Sequence, residues 1–271
     1  ASALMIGIAL VACFTLMAST IGQFMAGDSA TALQADHVVQ GVGTFAEPVI
    51  GDETIAVLEA ADGVDTVVAI DQIGIQSHAA IDVARPGPGG DTTLVATADI
   101  DGLRQAYEFD VIAGSLDGVS GTSVIIDEAT ADALAIGVGD SAGFQTTAGP
   151  VALEVAAVVS PSLPGTPQPG IIGDADLAGT LGYDGPAVSA YVLGSADEAS
   201  LTAAIDVPTI DVLTSDDYID GLSASLDTIL SLVYALLAVA VIIALVGIAN
   251  TVSLAISERA GESAAIRAAG G

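Results

Sequence analysis

The 271-residue chain has 34 acidic residues against four arginines and no lysine, a formal net charge of −30, yet 52% of its residues are hydrophobic. Negative charge on that scale repels polynucleotides and argues against any nucleic-acid partner. So large an apolar fraction argues against an ordinary soluble protein, and a single cysteine, Cys13, excludes an internal disulfide framework.

The distribution of these residues matters more than the totals. From Ala1 to Gly27 there is no charged side chain, and the run from Ala3 to Met17 is apolar. This length meets the roughly 20 residues a helix needs to cross a hydrocarbon core, so residues 1–27 are expected to form a first transmembrane helix. The competing assignments are a helix buried in a soluble core and a lipoprotein leader. Leu10-Val11-Ala12-Cys13 has the form of a lipoprotein cleavage box. No basic segment precedes it, however, and the apolar run continues through Phe14, Leu16, Met17 and Ile21.

From residue 28 to about 222 the pattern changes to short elements separated by turns, as in a mixed α/β (α+β) domain. His37–Gln40 reads as a strand, Asp52–Ala60 as a capped helix with acidic residues suited to its dipole, and Val64–Gln76 as β-structure. This strand-helix-strand series is expected to begin an α/β layer. Ala84–Asp91 is a proline- and glycine-rich break. Thr92–Ala98 and Val124–Ile126 read as strands, Asp127–Leu134 as a helix, and Phe144–Thr146 with Leu153–Val159 as a strand pair. Pro161–Pro169 forms a second proline-rich loop. Ala190–Leu193 is a strand, Asp197–Ile205 a helix, Ile210–Leu213 a last strand, and Asp216–Leu226 the start of a stalk.

A second charge-free run covers Thr228–Ser257, apolar all round from Leu232 to Gly247. A helix apolar on every face belongs in lipid or in a large core, so residues 223–257 are expected to form the stalk and a second transmembrane helix. All but two of the acidic residues lie between the two runs. Arg259 and Arg267 follow the second run closely, which places residues 258–271 in the cytoplasm and the acidic domain outside a plasma membrane. Ala240, Ala244 and Gly247, with Asn250 beyond them, would let helices pack closely there.

The residues of catalysis are missing. His37 and His78 stand apart from each other and from any thiol ligand, so zinc is not expected. There is no phosphate-cradling G-x-x-x-x-G-K-[ST] loop and no G-x-S-x-G elbow. No EF-hand spacing organises the carboxylates, and pairs such as Asp216-Asp217 read as solvated surface. The expectation is a non-enzymatic membrane subunit with no cofactor, drawing energy from a partner.

Between Leu226 and Gly270, Gly247, Ile248, Asn250, Thr251, Ser253 and Leu254 are followed by Glu258, Arg259, Glu262, Arg267, Ala268 and Gly270. This arrangement resembles the FtsX-like (MacB-type) permease family of ABC transporters, and the entry helix Ser2–Gly7 and the Val138-Gly139-Asp140 step are similar to it as well. Ser263-Ala264-Ala265 departs from the bulkier residues common there. The resemblance implies a MacB-like extracytoplasmic core between two spans, and a short helix carrying Glu258, Arg259, Glu262, Ile266 and Arg267 that docks on a cytoplasmic ABC ATPase. Glu258 and Glu262 stand four residues apart and Arg259 and Glu262 three, so a charged face is feasible; headgroup anchoring by Arg259 and Arg267 is the simpler alternative. It implies further that two more helices follow in the whole protein, and that two units pair, as a homodimer or as tandem halves, among membrane lipid. The expected activity is transmission of ATP-driven motion outward, for export or extraction of lipid, lipoprotein, peptide or drug. The alternative is a two-span sensor that signals inward.

Overall fold

A computed structural model describes residues 32–42, 49–77, 92–160 and 170–221, isolated positions between 224 and 256, and residue 270. Residues 1–27, the turn segments Ala84–Asp91 and Pro161–Pro169, His78 and the whole coupling segment from Glu258 to Arg267 lie outside the described residues.

The elements run β1 His37–Gly41, α1 Asp52–Glu59, β2 Val64–Ser77, β3 Thr92–Ala98, α2 Ile100–Ala106, β4 Asp110–Gly114, β5 Ser123–Asp127 and α3 Glu128–Leu134. They continue as β6 Ser141–Thr146, β7 Gly149–Ser160, β8 Ile171–Asp174, α4 Asp176–Leu181, β9 Ser189–Gly194, α5 Glu198–Ile205 and β10 Ile210–Thr214. Acidic residues start the helices as the sequence suggests, but from the cap position. Asp127 accepts from the Thr130 N–H at 2.7 Å, Asp197 from the Ser200 N–H at 3.0 Å, and Asp99 from the Gly102 N–H at 3.0 Å. Helix α1 differs from expectation, because Gly51 caps it and offers no side chain. Its first turn is held by the Gly51 carbonyl, which accepts from Thr54 and Ile55.

The first lobe is a four-stranded antiparallel sheet ordered β10–β1–β9–β2. β1-α1-β2 and β9-α5-β10 interleave in it, the split βαβ arrangement. The expected strand-helix-strand series does begin a layer, with β9, more than a hundred residues later, lying between β1 and β2 and pairing with both. Sequence proximity could not reveal a pairing so distant. Helices α1 and α5 cover one face through Leu58 and Leu201, packed on Val39, Ala190, Val192 and Val212.

Strand β2 then leaves this sheet. Val64–Ile70 pairs with β9, and from Asp71 onward it pairs with β3. The ring continues β3–β8–β5–β7–β6 and returns to the end of β2, closing a small mixed barrel. Alternation along each strand sends Ile73, Ile75, Val124, Ile126, Phe144, Leu153 and Val155 to one core. Ile125 and Ile172 face the other way, and the register shift that pairs Ile125 with Ala157 turns Ala157 and Val159 with them, so that all four join Val38, Val68, Ile70 and Tyr191 of the first lobe in a single cluster. The two lobes thus share both a strand and a core.

Among the described residues no helix is long and apolar enough to cross a membrane. Positions 241–243 and 245–250 are helical, and Ile242, Ile243, Leu245 and Val246 are each about 60% exposed. Gly247 and Asn250 are helical too, Asn250 exposed and Gly247 partly so, while Ala240 and Ala244 lie outside the described residues.

Candidate functional site

The two ends of the acidic domain meet. The chain enters along residues 32–36 and leaves through helical residues 215–221, and backbone groups tie these segments together. The Ser215 N–H donates to the Asp36 carbonyl at 3.2 Å, and the Ser215 hydroxyl donates to the Ala35 carbonyl. Asp36 also binds β9 twice, its N–H donating to the Val192 carbonyl at 3.0 Å and its Oδ2 accepting the Gly194 N–H at 2.8 Å.

The exit helix begins where its sequence dictates. Thr214 Oγ1 accepts the Asp217 N–H at 3.2 Å and donates to Asp217 Oδ2 at 2.7 Å, a reciprocal cap at the end of β10. Asp217 is exposed, as its reading as solvated surface expects, and is also half of this cap. One turn further on, Tyr218 turns inward and is buried beside Tyr191 and Tyr107 in the core shared by the lobes. Burial pushes the Tyr218 phenol up to about 12 and raises that of Tyr191 well above the ordinary tyrosine range.

The entry segment has a second attachment. The Gln34 and Ala35 N–H groups both donate to the Ala106 carbonyl, at 2.8 and 3.1 Å, and the Glu108 N–H donates to the Ala32 carbonyl at 2.8 Å. Leu33 bridges Tyr107, whose ring packs tilted at 60° against Phe109 with centroids 4.8 Å apart. This clamp therefore grips the first lobe through β9 and the second through the link from α2 to β4. Both chain ends are thereby tied to both lobes through hydrogen bonds and packed rings.

Sequence reasoning missed the clamp because main-chain groups make most of it. Thr214-x-x-Asp217 was the one readable signal, a capping spacing directly after a strand. His37 is buried in β1. Among the described residues no cluster of three His, Cys, Asp or Glu could share an ion, and every buried side-chain nitrogen or oxygen has a partner.

No protein-family model matches the chain, and no curated protein matches it. Among solved structures, the periplasmic region of MacB from Actinobacillus actinomycetemcomitans matches at 13% identity and a TM-score of 0.49, over 74% of this chain and 98% of that one. The extracellular domain of the noncanonic ABC-type transporter YknZ from Gram-positive bacteria matches at 16% identity and a TM-score of 0.44, over 67% and 100%. The chain is similar to these two extracytoplasmic domains.

Proposed function

We propose that the chain is part of an ABC-transporter permease of the FtsX-like, MacB-type kind, anchored in the plasma membrane with its acidic domain outside. In this reading a cytoplasmic ABC ATPase moves the membrane helices and the stem clamp passes that motion to both lobes. The observation that carries the proposal is the apolar helical stretch through Gly247, Ile248 and Asn250, followed in sequence, from eight residues beyond Asn250, by Glu258, Arg259, Glu262 and Arg267. Ile243 and Val246 are 66% and 64% exposed, a surface suited to lipid and costly in water. The clamp supports the same reading, since it holds together the two points where flanking helices would attach. Glu258, Arg259, Glu262, Ile266 and Arg267 would dock on the ATPase, Ala240, Ala244, Gly247 and Asn250 would pack helices, and a second unit would complete the permease. The work done outside would be export or extraction of a lipid, lipoprotein, peptide or drug.

Affinity capture of the full-length protein in detergent tests this. Wild type should bring down an ABC ATPase, and Glu258→Lys combined with Arg259→Glu should release it while leaving the acidic domain folded. Capture of no ATPase by the wild type contradicts the proposal.

A further inference from the structure

Folding crowds carboxylates that the sequence keeps apart. Where β2 changes sheets, Asp71 lies within reach of Asp52 on α1, and the link from α4 to β9 brings Asp184 to the same place. Backbone bonds between Ile50 and Ala187, at 3.1 and 2.8 Å, hold α1 against that link, and the Tyr183 hydroxyl donates to the Pro186 carbonyl at 2.6 Å. Burial raises the Asp71 carboxyl and the Asp52 charge raises it further; burial and then the Asp71 and Asp184 charges raise the Tyr183 phenol. The start of α2 gathers two more. Asp99 accepts the Gly102 N–H at 3.0 Å, and Asp174 of β8 accepts the Ile100 N–H at 3.4 Å. At the stem, the Ser215 bond to the Asp36 backbone sets Asp36 beside Asp216 and Asp217.

Little positive charge offsets them. Arg104 is the one arginine among the described residues, and it pairs with Asp117 at 2.8 Å on an exposed surface, where an ion pair adds little. Nor do the carboxylates converge on a metal, since among the described residues no group of three could share one. The unfolded chain carries the same charge over a far larger volume, so self-repulsion opposes folding. Mobile ions weaken that repulsion, because the screening length falls from about 30 Å in 0.01 M salt to about 3 Å in 1 M. We propose that the acidic domain is built for concentrated salt, its fold held by a diffuse atmosphere of mobile cations and weakened by self-repulsion in dilute solution. The inference concerns the domain's own stability, so failure of ATPase capture leaves it standing.

Thermal unfolding of the full chain in a non-ionic detergent at pH 7 tests this, followed by the near-UV circular dichroism of the buried Tyr107, Tyr191 and Tyr218. The midpoint should rise by about 10 °C or more between about 0.01 and about 1 M NaCl, and KCl should match NaCl. Reversing four exposed carboxylates, Asp62→Lys, Asp65→Lys, Glu154→Lys and Asp184→Lys, relieves repulsion without touching the cores. This variant should unfold at a higher temperature than wild type in dilute salt, and the gap should close in concentrated salt. Asp184→Lys alone serves if the fourfold variant does not fold. Equal salt responses in wild type and variant would show that salt acts through general hydration and not through charge, and would overturn the proposal. A midpoint that does not rise with NaCl would overturn it too. So would a saturable rise in millimolar CaCl2 at constant ionic strength that replaces the effect of NaCl, the mark of a bound metal.

Discussion

Tyr218 carries the strongest single-residue consequence of the clamp. Its ring fills the core where the exit helix meets both lobes, so Tyr218→Ala should cost about 3–5 kcal/mol in urea unfolding. Because burial raises the Tyr218 and Tyr191 phenols, both stay protonated in the folded domain where unfolded tyrosines would ionise. Their contribution is complete below pH 10, and stability should fall as pH rises from about 10 towards 12. Tyr218→Phe should flatten part of that fall. Asp71 differs in kind. It accepts the Thr97 hydroxyl at 3.1 Å where β2 passes between lobes, and desolvation first, then the Asp52 charge, raises its carboxyl. A raised carboxyl favours the fold below the unfolded value and loses that advantage as pH rises through the folded one. Asp71→Asn should therefore stabilise the domain at pH 7 and bring no gain near pH 3, as thermal unfolding at the two pH values would show.

At the scale of elements, Gly194 holds the register of β9 against β2. With φ +146° it sits opposite the irregularity between Val64 and Thr66, and an added Cβ would collide with the Gly63 carbonyl. Gly194→Ala should destabilise by about 2–3 kcal/mol, measured by chemical denaturation. Ala135, in the left-handed conformation that ends α3, runs the other way, and Ala135→Gly should gain about 0.5–1 kcal/mol. Which elements could be read from sequence follows from the same local physics. β1, β9 and β10 carry dense β-branched or aromatic runs, and α3 and α5 announce themselves through Asp127 and Asp197. β4 was unreadable because a strand exposed on both faces has no alternation to detect. Helix α2, seven residues long like α3 and capped by Asp99, has the same readable start, which the sequence reading omits, whereas α4 at six residues has no side-chain cap and β8 has only four residues. The coupling residues present the reverse case, a pattern legible in sequence at positions outside the described residues.

At the scale of the whole molecule, charge and topology converge on one mechanical arrangement. Asp36, Ser215 and Tyr218 join the two ends of the acidic domain at a single stem, and a strand and core common to both lobes continue from it; in the proposed permease this is the route motion would take. No composition could have revealed this, because the pairing of β9 between β1 and β2 and the closure of the barrel are contacts between distant parts of the chain. In the proposed permease the direction of transmission depends on which side of the membrane the domain occupies. The decisive measurement is thiol labelling of intact cells with a membrane-impermeant maleimide, in a Cys13→Ser background carrying either Ala199→Cys on exposed α5 or Ser263→Cys after the second apolar run. With the acidic domain outside, Ala199→Cys should label in intact cells and Ser263→Cys only after permeabilisation. Protection of Ala199→Cys in intact cells, with labelling after lysis, would contradict that placement.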